Sequence, residues 1–340
     1  MKGKTKDGIN FLRKQNPKRI WNAGLVFTSY YISRFFKTKT VWGKPLSISY
    51  EPTTSCNLRC PECPSGLRQF TRPTGMLEFN RYKQAVDEFG SSLMYLLFYF
   101  QGEPYLNTRF LDMVKYASER NIYTATSTNA HYLKDDVAKK TVESGLDRLI
   151  ISIDGTTQET YQSYRIGGKL EKVIEGTKNI VKWKKELNSS TPHLIFQFLV
   201  VKPNEHQIDD VYKLADEIGV DEVRLKTAQI YDYENGNDLI PTIDKYSRYK
   251  KMPDGKYKIK NKLYNHCWRM WHACVITWDG LVVPCCFDKD AENQLGDLKD
   301  KSFTEIWNDE KYKDFRGTLM QGRKNIEICK NCTEGTKVWG

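Results

Sequence analysis

Three cysteines share one short loop near the amino terminus, with the spacing Cys-x3-Cys-x2-Cys. No other cysteine or histidine lies close to them in the sequence, whereas structural zinc sites and most iron–sulfur clusters are closed by four protein ligands. The thiolates of Cys56, Cys60 and Cys63 can instead hold three corners of an iron–sulfur cube and leave the fourth iron open to a substrate or cofactor. A zinc site completed by a distant ligand is the alternative.

Six more cysteines lie near the carboxyl terminus, and none lies in the 203 residues between the two groups. Their main pattern is Cys267-x12-Gly280-x4-Cys285, followed by Cys329-x2-Cys332. A secreted disulfide framework is typical of small, cysteine-dense chains in an oxidising compartment, a description that does not fit this chain. In a reduced cytosol, clustered cysteines bind metals or clusters or perform redox chemistry, and a zinc ribbon is the main rival here.

The first cysteine loop follows the first of six apolar runs that alternate with helix-like segments. The runs are rich in Ile, Val, Tyr and Phe, which is typical of strands buried on both faces of a parallel sheet. Helical crossovers predict a βα-repeat barrel or an open sheet, where ligands bind at the carboxyl ends of the strands. The predicted strands are Leu46–Tyr50, Met94–Phe100, Ile122–Ser127, Arg148–Ile153, Leu194–Val201 and Glu222–Lys226. The predicted helices between them are Glu78–Phe89, Arg109–Arg120, Leu133–Glu143, Leu170–Leu187 and Asp209–Ile218.

Charge and composition divide the chain into four segments. They are a basic aromatic extension over 1–44, the βα-repeat region over 45–230, a polar linker or insertion over 231–262 and a cysteine-rich module over 263–340. In the module, Val275–Trp278 and Leu281–Val283 flank an Asp279-Gly280 turn, which predicts a β-hairpin. Short helices are predicted after it, over Phe303–Asn308 and Lys311–Met320.

The net charge of +11 belongs almost entirely to residues 1–44, which hold eleven Lys or Arg and one acidic residue, Asp7. The rest of the chain carries a net charge of only +1, so we expect no nucleic-acid partner. Ile20–Phe36 predicts a mostly apolar helix, which we expect to cover the body of the protein, with an interfacial helix on anionic lipid as the alternative. Because no secretory signal or membrane-spanning run is present, the default location is the cytoplasm, with peripheral membrane contact as the alternative.

The cysteine loop, Glu51-Pro-Thr-Thr-Ser-Cys56-Asn-Leu-Arg-Cys60-Pro-Glu-Cys63, resembles the hallmark of the radical S-adenosylmethionine (radical SAM) superfamily. The likeness covers about residues 45–230 and implies an α/β fold with a partial six-stranded (βα)6 TIM-like barrel. It implies a 4Fe–4S cluster whose open iron chelates S-adenosylmethionine. One electron, with reduced ferredoxin or flavodoxin as the implied donor, then cleaves that cofactor to methionine and a 5′-deoxyadenosyl radical, which abstracts hydrogen from a substrate. Glu62 stands where the family often has an aromatic residue.

Other motifs of the family recur at the ends of the predicted strands. Gln101-Gly102-Glu103 is similar to the Gly-Gly-Glu motif that meets the amino group of the cofactor, and Ser127-Thr128-Asn129 resembles a Thr-Asn-Gly turn. Ser152-Ile153-Asp154, with Arg165 beyond it, resembles a pattern of the peptide-maturase branch in which Ser and Arg position the cofactor carboxylate. An ordinary surface arginine is the alternative for Arg165. The implied cofactor contacts are Gln101, Gly102, Glu103, Ser127, Asn129, Ser152, Asp154, Arg165, Val200 and Asn204.

The second cysteine group resembles the SPASM, or twitch, module that follows many barrels of this superfamily. The match includes the Thr277–Gly280 hairpin, and it implies a small cysteine-rich α+β module. We expect one auxiliary 4Fe–4S cluster, because only eight residues follow the last cysteine. The implied ligands are Cys267, Cys285, Cys329 and Cys332. Cys285 and Cys286 are neighbours in a strand and face opposite ways, so we expect Cys286, like Cys274, to be a core residue.

The resemblance therefore implies a radical SAM enzyme with two 4Fe–4S clusters and S-adenosylmethionine as cofactors. We expect a small anionic or lipid-linked metabolite as its substrate, because the basic extension is shorter than an independent leader-binding domain and fits an anionic partner. Modification of a peptide or protein side chain is the first alternative. A non-catalytic iron–sulfur or zinc protein that binds RNA or a membrane is the second. The residues indicate no particular catalytic side chain or net reaction.

Overall fold

The computed structural model describes residues 2–338. Met1, the first residue of the predicted basic extension, lies outside the described residues. So do residues 339–340, the last two of the predicted cysteine-rich module. The strands are β1 (Ser47–Tyr50), β2 (Tyr95–Leu97), β3 (Tyr123–Thr128), β4 (Arg148–Ser152), β5 (His193–Val200), β6 (Glu222–Thr227), β7 (Tyr249–Lys251), β8 (Tyr257–Ile259), β9 (Ala273–Ile276), β10 (Leu281–Val283) and β11 (Gly296–Asp297). The helices are α1 (Lys2–Arg13), α2 (Pro17–Phe36), α3 (Pro64–Leu67), α4 (Phe79–Phe89), α5 (Phe110–Ser118), α6 (Asp135–Glu143), α7 (Gln158–Tyr164), α8 (Leu170–Glu186), α9 (Ile208–Ile218), α10 (Arg269–His272), α11 (Phe303–Asn308), α12 (Glu310–Gly322) and α13 (Glu327–Lys330).

Six parallel strands, β1 to β6 in chain order, form the centre of the fold, which confirms the predicted partial βα barrel. Each of the first five strands is followed by at least one helix. Side chains alternate between the two faces of each strand. Phe196 and Phe198 of β5 lie in the main hydrophobic core, so Gln197 and Leu199 face the opposite side, the inside of the barrel.

The cysteine-rich module continues the barrel sheet. Strand β9 pairs in parallel with β1, and β10 returns antiparallel to β9 through the Thr277–Gly280 turn, which confirms the predicted hairpin. A buried ion pair of the barrel region lies at the contact with the module: the guanidinium group of Arg72 donates to both oxygens of Glu51, at 2.8 and 2.6 Å, and its Nε donates to the carbonyl oxygen of Lys289 in the module at 3.1 Å. The N–H of Trp278, in the hairpin, donates to the same carboxylate at 3.2 Å.

The segment predicted as a linker contains a second hairpin, β7–β8, which its polar composition does not indicate. The ring of Tyr249 stacks on that of Tyr233, with 4.4 Å between the centroids. Its hydroxyl accepts a hydrogen bond from the N–H of Ile230 at 2.8 Å and donates to the side chain of Asn331 at 3.0 Å. The linker is therefore fixed to the end of the barrel on one side and to the module on the other.

Helices α1 and α2 close the amino-terminal end of the barrel. Asp7 is buried, pairs with Arg148 and accepts a hydrogen bond from the hydroxyl of Tyr123, so an acidic side chain from α1 binds two barrel strands. Lys14 pairs with Asp147 at 2.6 Å. The sequence did not predict α1, because its twelve residues are mostly polar and its contacts are largely ionic.

Helix α2 covers the module with one face. Val26 and Tyr30 are fully buried, and the ring of Tyr30 lies 5.1 Å from that of Trp268 and 5.6 Å from that of Trp271. The opposite face is exposed. Within residues 2–338, no helix is long and apolar enough to cross a membrane.

Candidate active site

The first cysteine group lies on the loop after β1, at the carboxyl end of the barrel strands. Each sulfur lies within 4 Å of a different side chain that the sequence predicts to bind the cofactor. The three contacts are Asn129 Nδ2 to Cys56 Sγ at 3.9 Å, Arg165 Nη1 to Cys60 Sγ at 3.8 Å and Cys63 Sγ to Gln101 Oε1 at 3.8 Å. The structure thus brings together residues from four separate segments of the chain.

A cavity of about 180 Å³, here called the central cavity, opens beside these thiols. Its predicted site residues are Cys56, Cys60, Cys63, Gly102, Glu103, Ser127, Asn129, Ser152 and Arg165. Gly102 has a φ of +75°, and a Cβ there would lie 2.2 Å from the carbonyl oxygen of Thr53, so only glycine fits this turn. The hydroxyl oxygens of Ser127 and Ser152 are 3.4 Å apart in the wall of the cavity.

Glu103 is a buried carboxylate at the edge of the central cavity. It accepts the N–H of Asn129 at 2.7 Å and the hydroxyl of Thr128 at 2.8 Å. Burial raises the pKa of Glu103 to about 7, although these hydrogen bonds act in the opposite direction. A cationic amino group in the cavity would favour the charged carboxylate. Glu103 therefore fixes the end of β3 and suits the amino group of S-adenosylmethionine.

Three other predicted residues act behind the cavity wall. The carboxylate of Asp154 pairs with Arg165 and accepts the N–H of Leu199 at 2.7 Å. The amide of Asn204 donates to the carbonyl oxygens of Asp154 and Leu199, at 3.0 and 2.9 Å. Val200 lies in the outer core, because neighbours in a strand face opposite sides, and Leu199 lines the cavity. Asn204 and Val200 are not among its lining residues in the described chain, so cofactor contact by them stays a prediction.

The chemistry of the first cysteine group fits an iron–sulfur cluster. Burial raises the pKa of Cys56 to about 12, and it also raises the pKa of Cys60. Buried thiolates of this kind need positive charge beside the sulfur, which bonding to iron supplies. The guanidinium group of Arg165 adds a further positive charge next to Cys60.

The second cysteine group is assembled from distant parts of the module. Burial raises the pKa of Cys285, and so do Cys286, Cys267 and Cys332 through their charge. Burial likewise raises the pKa of Cys329 and Cys332, and Cys267 adds to both shifts. The four predicted ligands therefore lie close enough to interact electrostatically. Within residues 2–338, no three His, Cys, Asp or Glu side chains are arranged to hold a single metal ion.

Arg323 lies among these cysteines, and the sequence did not single it out. Its side chain is 1% exposed. Nη2 donates to Cys332 Sγ at 3.1 Å and to the carbonyl oxygen of Glu334 at 2.7 Å, and Nη1 donates to the carbonyl oxygen of His266 at 3.2 Å. Its Nε is buried and has no partner in the described chain. A buried cation with an unpaired N–H suits the sulfur atoms of a cluster.

The two remaining cysteines of the module lie in different surroundings. Cys274 is buried in the main core and interacts electrostatically with Tyr312 and Arg316. Cys286 is only partly buried and interacts with Tyr99, which lines the central cavity, and with Arg269. Cys286 therefore faces the space between the two cysteine groups.

Four basic side chains interact electrostatically with Glu334 or Cys286, and we call them the inner basic cluster. They are Lys226, which is exposed, and the partly buried Arg248, Arg269 and Lys289. Burial lowers the pKa of Lys289, while Cys63 on one side and Cys286 on the other act to raise it. Its ammonium lies 4.7 Å from the ring centroid of Tyr231. Only Lys226 lies in a predicted strand, and no local pattern connects it to the others.

The arginines of the inner basic cluster differ in their partners. Arg269 pairs with Glu334 at 2.9 Å. Arg248 donates from Nε to the carbonyl oxygen and hydroxyl of Thr227, at 3.0 and 2.9 Å, but its Nη1 is buried without a partner among residues 2–338. One donor of the cluster is therefore available to a bound group.

A groove of about 700 Å³, the outer groove, runs between the first cysteine loop, the linker and the module. Its charged lining is mostly acidic. Glu62 lies in its wall and accepts the N–H of Tyr231 at 2.9 Å, and burial raises the pKa of this carboxyl group. The charged lining residues are Glu62, Asp232, Glu234, Asp288, Lys289, Asp290, Glu292, Glu327 and Lys330.

Comparison with protein families matches both parts of this site. The model of the Radical SAM superfamily matches residues 50–215, which contain the first cysteine group and the central cavity. The SPASM model, described as an iron–sulfur cluster-binding domain, matches residues 267–333, which contain the second group.

Curated relatives and solved structures agree with these matches. A tungsten-containing aldehyde ferredoxin oxidoreductase cofactor-modifying protein from Pyrococcus furiosus is 27% identical over 298 residues, which are 78% of this chain and 82% of that protein. A PqqA peptide cyclase from Bradyrhizobium diazoefficiens is 24% identical over 322 residues, covering 87% and 80%. SuiB of Streptococcus suis, solved with S-adenosylmethionine bound, shares the fold with a TM-score of 0.64 and 14% identity over 89% of this chain and 75% of its own.

Proposed function

We propose that this chain removes a hydrogen atom from a small substrate with an anionic group. The chain belongs to the radical SAM superfamily and carries an SPASM module. A carboxylate or a phosphate is the expected group, and a lipid-linked molecule that carries one is included. The cluster at the first cysteine group and S-adenosylmethionine supply the one-electron chemistry, with reduced ferredoxin or flavodoxin as the proposed electron donor. The second cysteine group holds the auxiliary 4Fe–4S cluster.

The inner basic cluster is the observation that supports an anionic substrate. Lys226, Arg248 and Arg269 interact electrostatically with Glu334, and Lys289 interacts with Glu62. The four bases of the cluster therefore outnumber these two carboxylates. An unpaired buried donor such as Arg248 Nη1 costs free energy, and an anionic group that accepts its hydrogen bond offsets the cost.

Residues of the central cavity are proposed to hold S-adenosylmethionine. We expect Glu103, and Gln101 beside Cys63, to accept hydrogen bonds from its amino group, and Ser152 and Arg165 to donate to its carboxylate. Asp154 positions Arg165 through their ion pair. Because Tyr99 lines the cavity and also interacts with Cys286, the cofactor and the inner basic cluster are neighbours.

The proposal is tested with reduced, anaerobically reconstituted protein and S-adenosylmethionine. Small molecules extracted from cells of the organism that makes this protein are separated by anion exchange, and each fraction is added to the reaction. We expect the fractions retained by the resin to accelerate formation of 5′-deoxyadenosine, because the substrate that donates hydrogen is an anion. Acceleration by the unretained fractions alone would contradict the proposal.

Variants connect the result to the inner basic cluster. Lys289→Gln and Arg248→Gln should each reduce substrate-dependent turnover at least tenfold, mainly by raising KM, because each removes a charge-assisted contact. Uncoupled cleavage of S-adenosylmethionine should stay unchanged. Lys311→Gln, an exposed lysine of α12, is the matched control and should behave as the wild type.

Modification of a peptide side chain is the second candidate function, and the outer groove supports it. The groove has a volume of about 700 Å³, and its lining includes Pro61, Glu62 and Pro64, the residues on either side of Cys63. The PqqA peptide cyclase relative is named for a peptide substrate. Because the groove is mostly acidic, a peptide in it would be basic. Acceleration of cofactor cleavage by basic peptides, but by no anionic fraction, would favour this candidate.

A further inference from the structure

Helix α2 exposes an apolar face to solvent although its other face is buried on the module. With 3.6 residues per turn, Ile20, Tyr31 and Phe35 fall on one side of the helix, and Trp21 lies next to them. Phe27 lies at the edge of this face, where its ring contacts that of Trp268 in the module. Trp21 is 72% exposed and Phe35 is 80% exposed. We propose that this outer α2 face docks on the surface of an anionic lipid bilayer.

Basic residues at both ends of the outer α2 face supply charge complementarity. Arg13 and Lys18 lie near its amino-terminal end, and Arg34 and Lys37 lie at its carboxyl-terminal end. All four are exposed, and none of them forms an ion pair within residues 2–338. Other bases of the extension are engaged by the protein. Those in ion pairs are Lys4 with Glu222, Lys14 with Asp147 and Lys39 with Asp314.

The chemistry of this face favours a bilayer over other occupants. Tryptophan and tyrosine beside lysine and arginine are typical of membrane interfaces, and amphipathic helices with these residues lie in the plane of the bilayer. Protein–protein interfaces are depleted in lysine. A second copy of this chain would bring the same basic residues towards one another, which repulsion opposes.

This docking does not depend on the proposed reaction, because the outer α2 face lies on the side of α2 that faces away from the module. The test uses the full-length holoprotein and sedimentation with vesicles. We expect it to bind vesicles of phosphatidylcholine mixed with phosphatidylglycerol, to bind vesicles of phosphatidylcholine alone much more weakly, and to be released by salt. Equal binding to both kinds of vesicle, or to neither, would overturn the proposal.

Aromatic variants test the apolar part of the face. Trp21→Ser with Phe35→Ser should weaken binding to the mixed vesicles at least tenfold, because both side chains lose burial in the bilayer. Leu187→Ser with Tyr212→Ser, which removes exposed apolar side chains from two other helices, is the matched control and should not change binding. Equal losses in the two double variants would contradict a specific docking face.

Charge variants test the basic ends. Arg13→Gln with Arg34→Gln should weaken binding roughly thirtyfold, since each base near an anionic surface contributes measurably. Lys250→Gln with Lys251→Gln removes the same charge from hairpin β7–β8 and should have little effect. All variants should keep the iron content and melting temperature of the wild type, because the changed side chains are exposed. A dimer that Trp21→Ser with Phe35→Ser dissociates would assign the face to a second copy instead.

Discussion

The two cysteine groups differ in how the chain builds them and in what surrounds their sulfur atoms. The first lies on one eight-residue stretch, and its thiols contact Asn129, Arg165 and Gln101 beside a cavity. The second is assembled from residues up to 65 positions apart, and the buried guanidinium group of Arg323 donates to the thiol of Cys332 and interacts electrostatically with Cys267 and Cys329. The first site is therefore local in sequence and open to a ligand, and the second is closed by the protein.

This difference corresponds to two roles that cysteine sulfur can serve as a ligand of iron. Three cysteines on one loop leave an iron without a protein ligand, so that S-adenosylmethionine can bind there. If Cys267, Cys285, Cys329 and Cys332 are the ligands, as proposed, they complete the coordination of every iron and leave electron transfer or support of the pocket as the remaining roles. Lys289 of the inner basic cluster interacts electrostatically with Cys63 of the first group and with Cys286, so we propose that both clusters act on one substrate.

The largest expected effect comes from removing the open site. Cys56→Ala, Cys60→Ala and Cys63→Ala together should abolish formation of 5′-deoxyadenosine and lower the iron content from about eight to about four per chain. Iron analysis and chromatography of the products measure both. Replacing Cys267 and Cys329 by Ala should instead lower the iron content while some cofactor cleavage remains. The reverse pattern would mean that the two sites are assigned the wrong way round.

The buried ion pair between Arg72 and Glu51, whose side chains also contact Lys289 and Trp278 of the module, should matter nearly as much. Arg72→Ala leaves the carboxylate of Glu51 buried without its partner, so the free energy of unfolding should fall by about 3–5 kcal/mol. Denaturant unfolding of the anaerobic protein measures the change. Lys213→Ala, which removes an exposed ion pair with Asp210, should cost at most about 1 kcal/mol. Similar losses in the two variants would show that the buried pair stabilises the fold no more than an exposed pair does.

A smaller effect is expected for cofactor binding at the open site. Arg165→Lys keeps a positive charge beside Asp154 but removes the guanidinium fork. It should weaken binding of S-adenosylmethionine by about 1.5–3 kcal/mol while the iron content is retained. Equilibrium dialysis measures the affinity. Arg59→Lys, an exposed change in the same loop, should leave it unchanged. If both variants bind normally, another group holds the cofactor carboxylate.

The smallest effect concerns the neighbouring thiols of the closed site. Cys286→Ala should leave the iron content near that of the wild type, because this side chain faces the space between the groups and not the other three ligands. Cys285→Ala should lower the iron content, since its thiol interacts with Cys267 and Cys332. Loss of iron in Cys286→Ala would mean that Cys286, and not Cys285, is the fourth ligand.

Local patterns account for much of the fold and of the open site. Most of the six parallel strands were predictable because they are short apolar runs, and the loop of Cys56 was predictable because its three cysteines lie within eight residues. The turn at Gly102 lies just after the end of the second predicted strand, Met94–Phe100.

Long-range contacts account for what the sequence did not predict. Helix α1 is mostly polar, and Asp7 becomes informative only when it is seen beside Arg148. Arg323 and the members of the inner basic cluster come from segments far apart in the chain, so nothing in their spacing joins them. The pairing of β9 with β1, which unites the module with the barrel, likewise depends on tertiary structure.

The most direct test of the difference between the two cysteine groups is the electron paramagnetic resonance spectrum of the reduced protein with and without S-adenosylmethionine. The cofactor should change the signal of one cluster and leave the other unchanged. In the variant that lacks Cys56, Cys60 and Cys63, the remaining signal should not respond to the cofactor. A remaining signal that still shifts would show that S-adenosylmethionine binds at the second group, and would contradict the account.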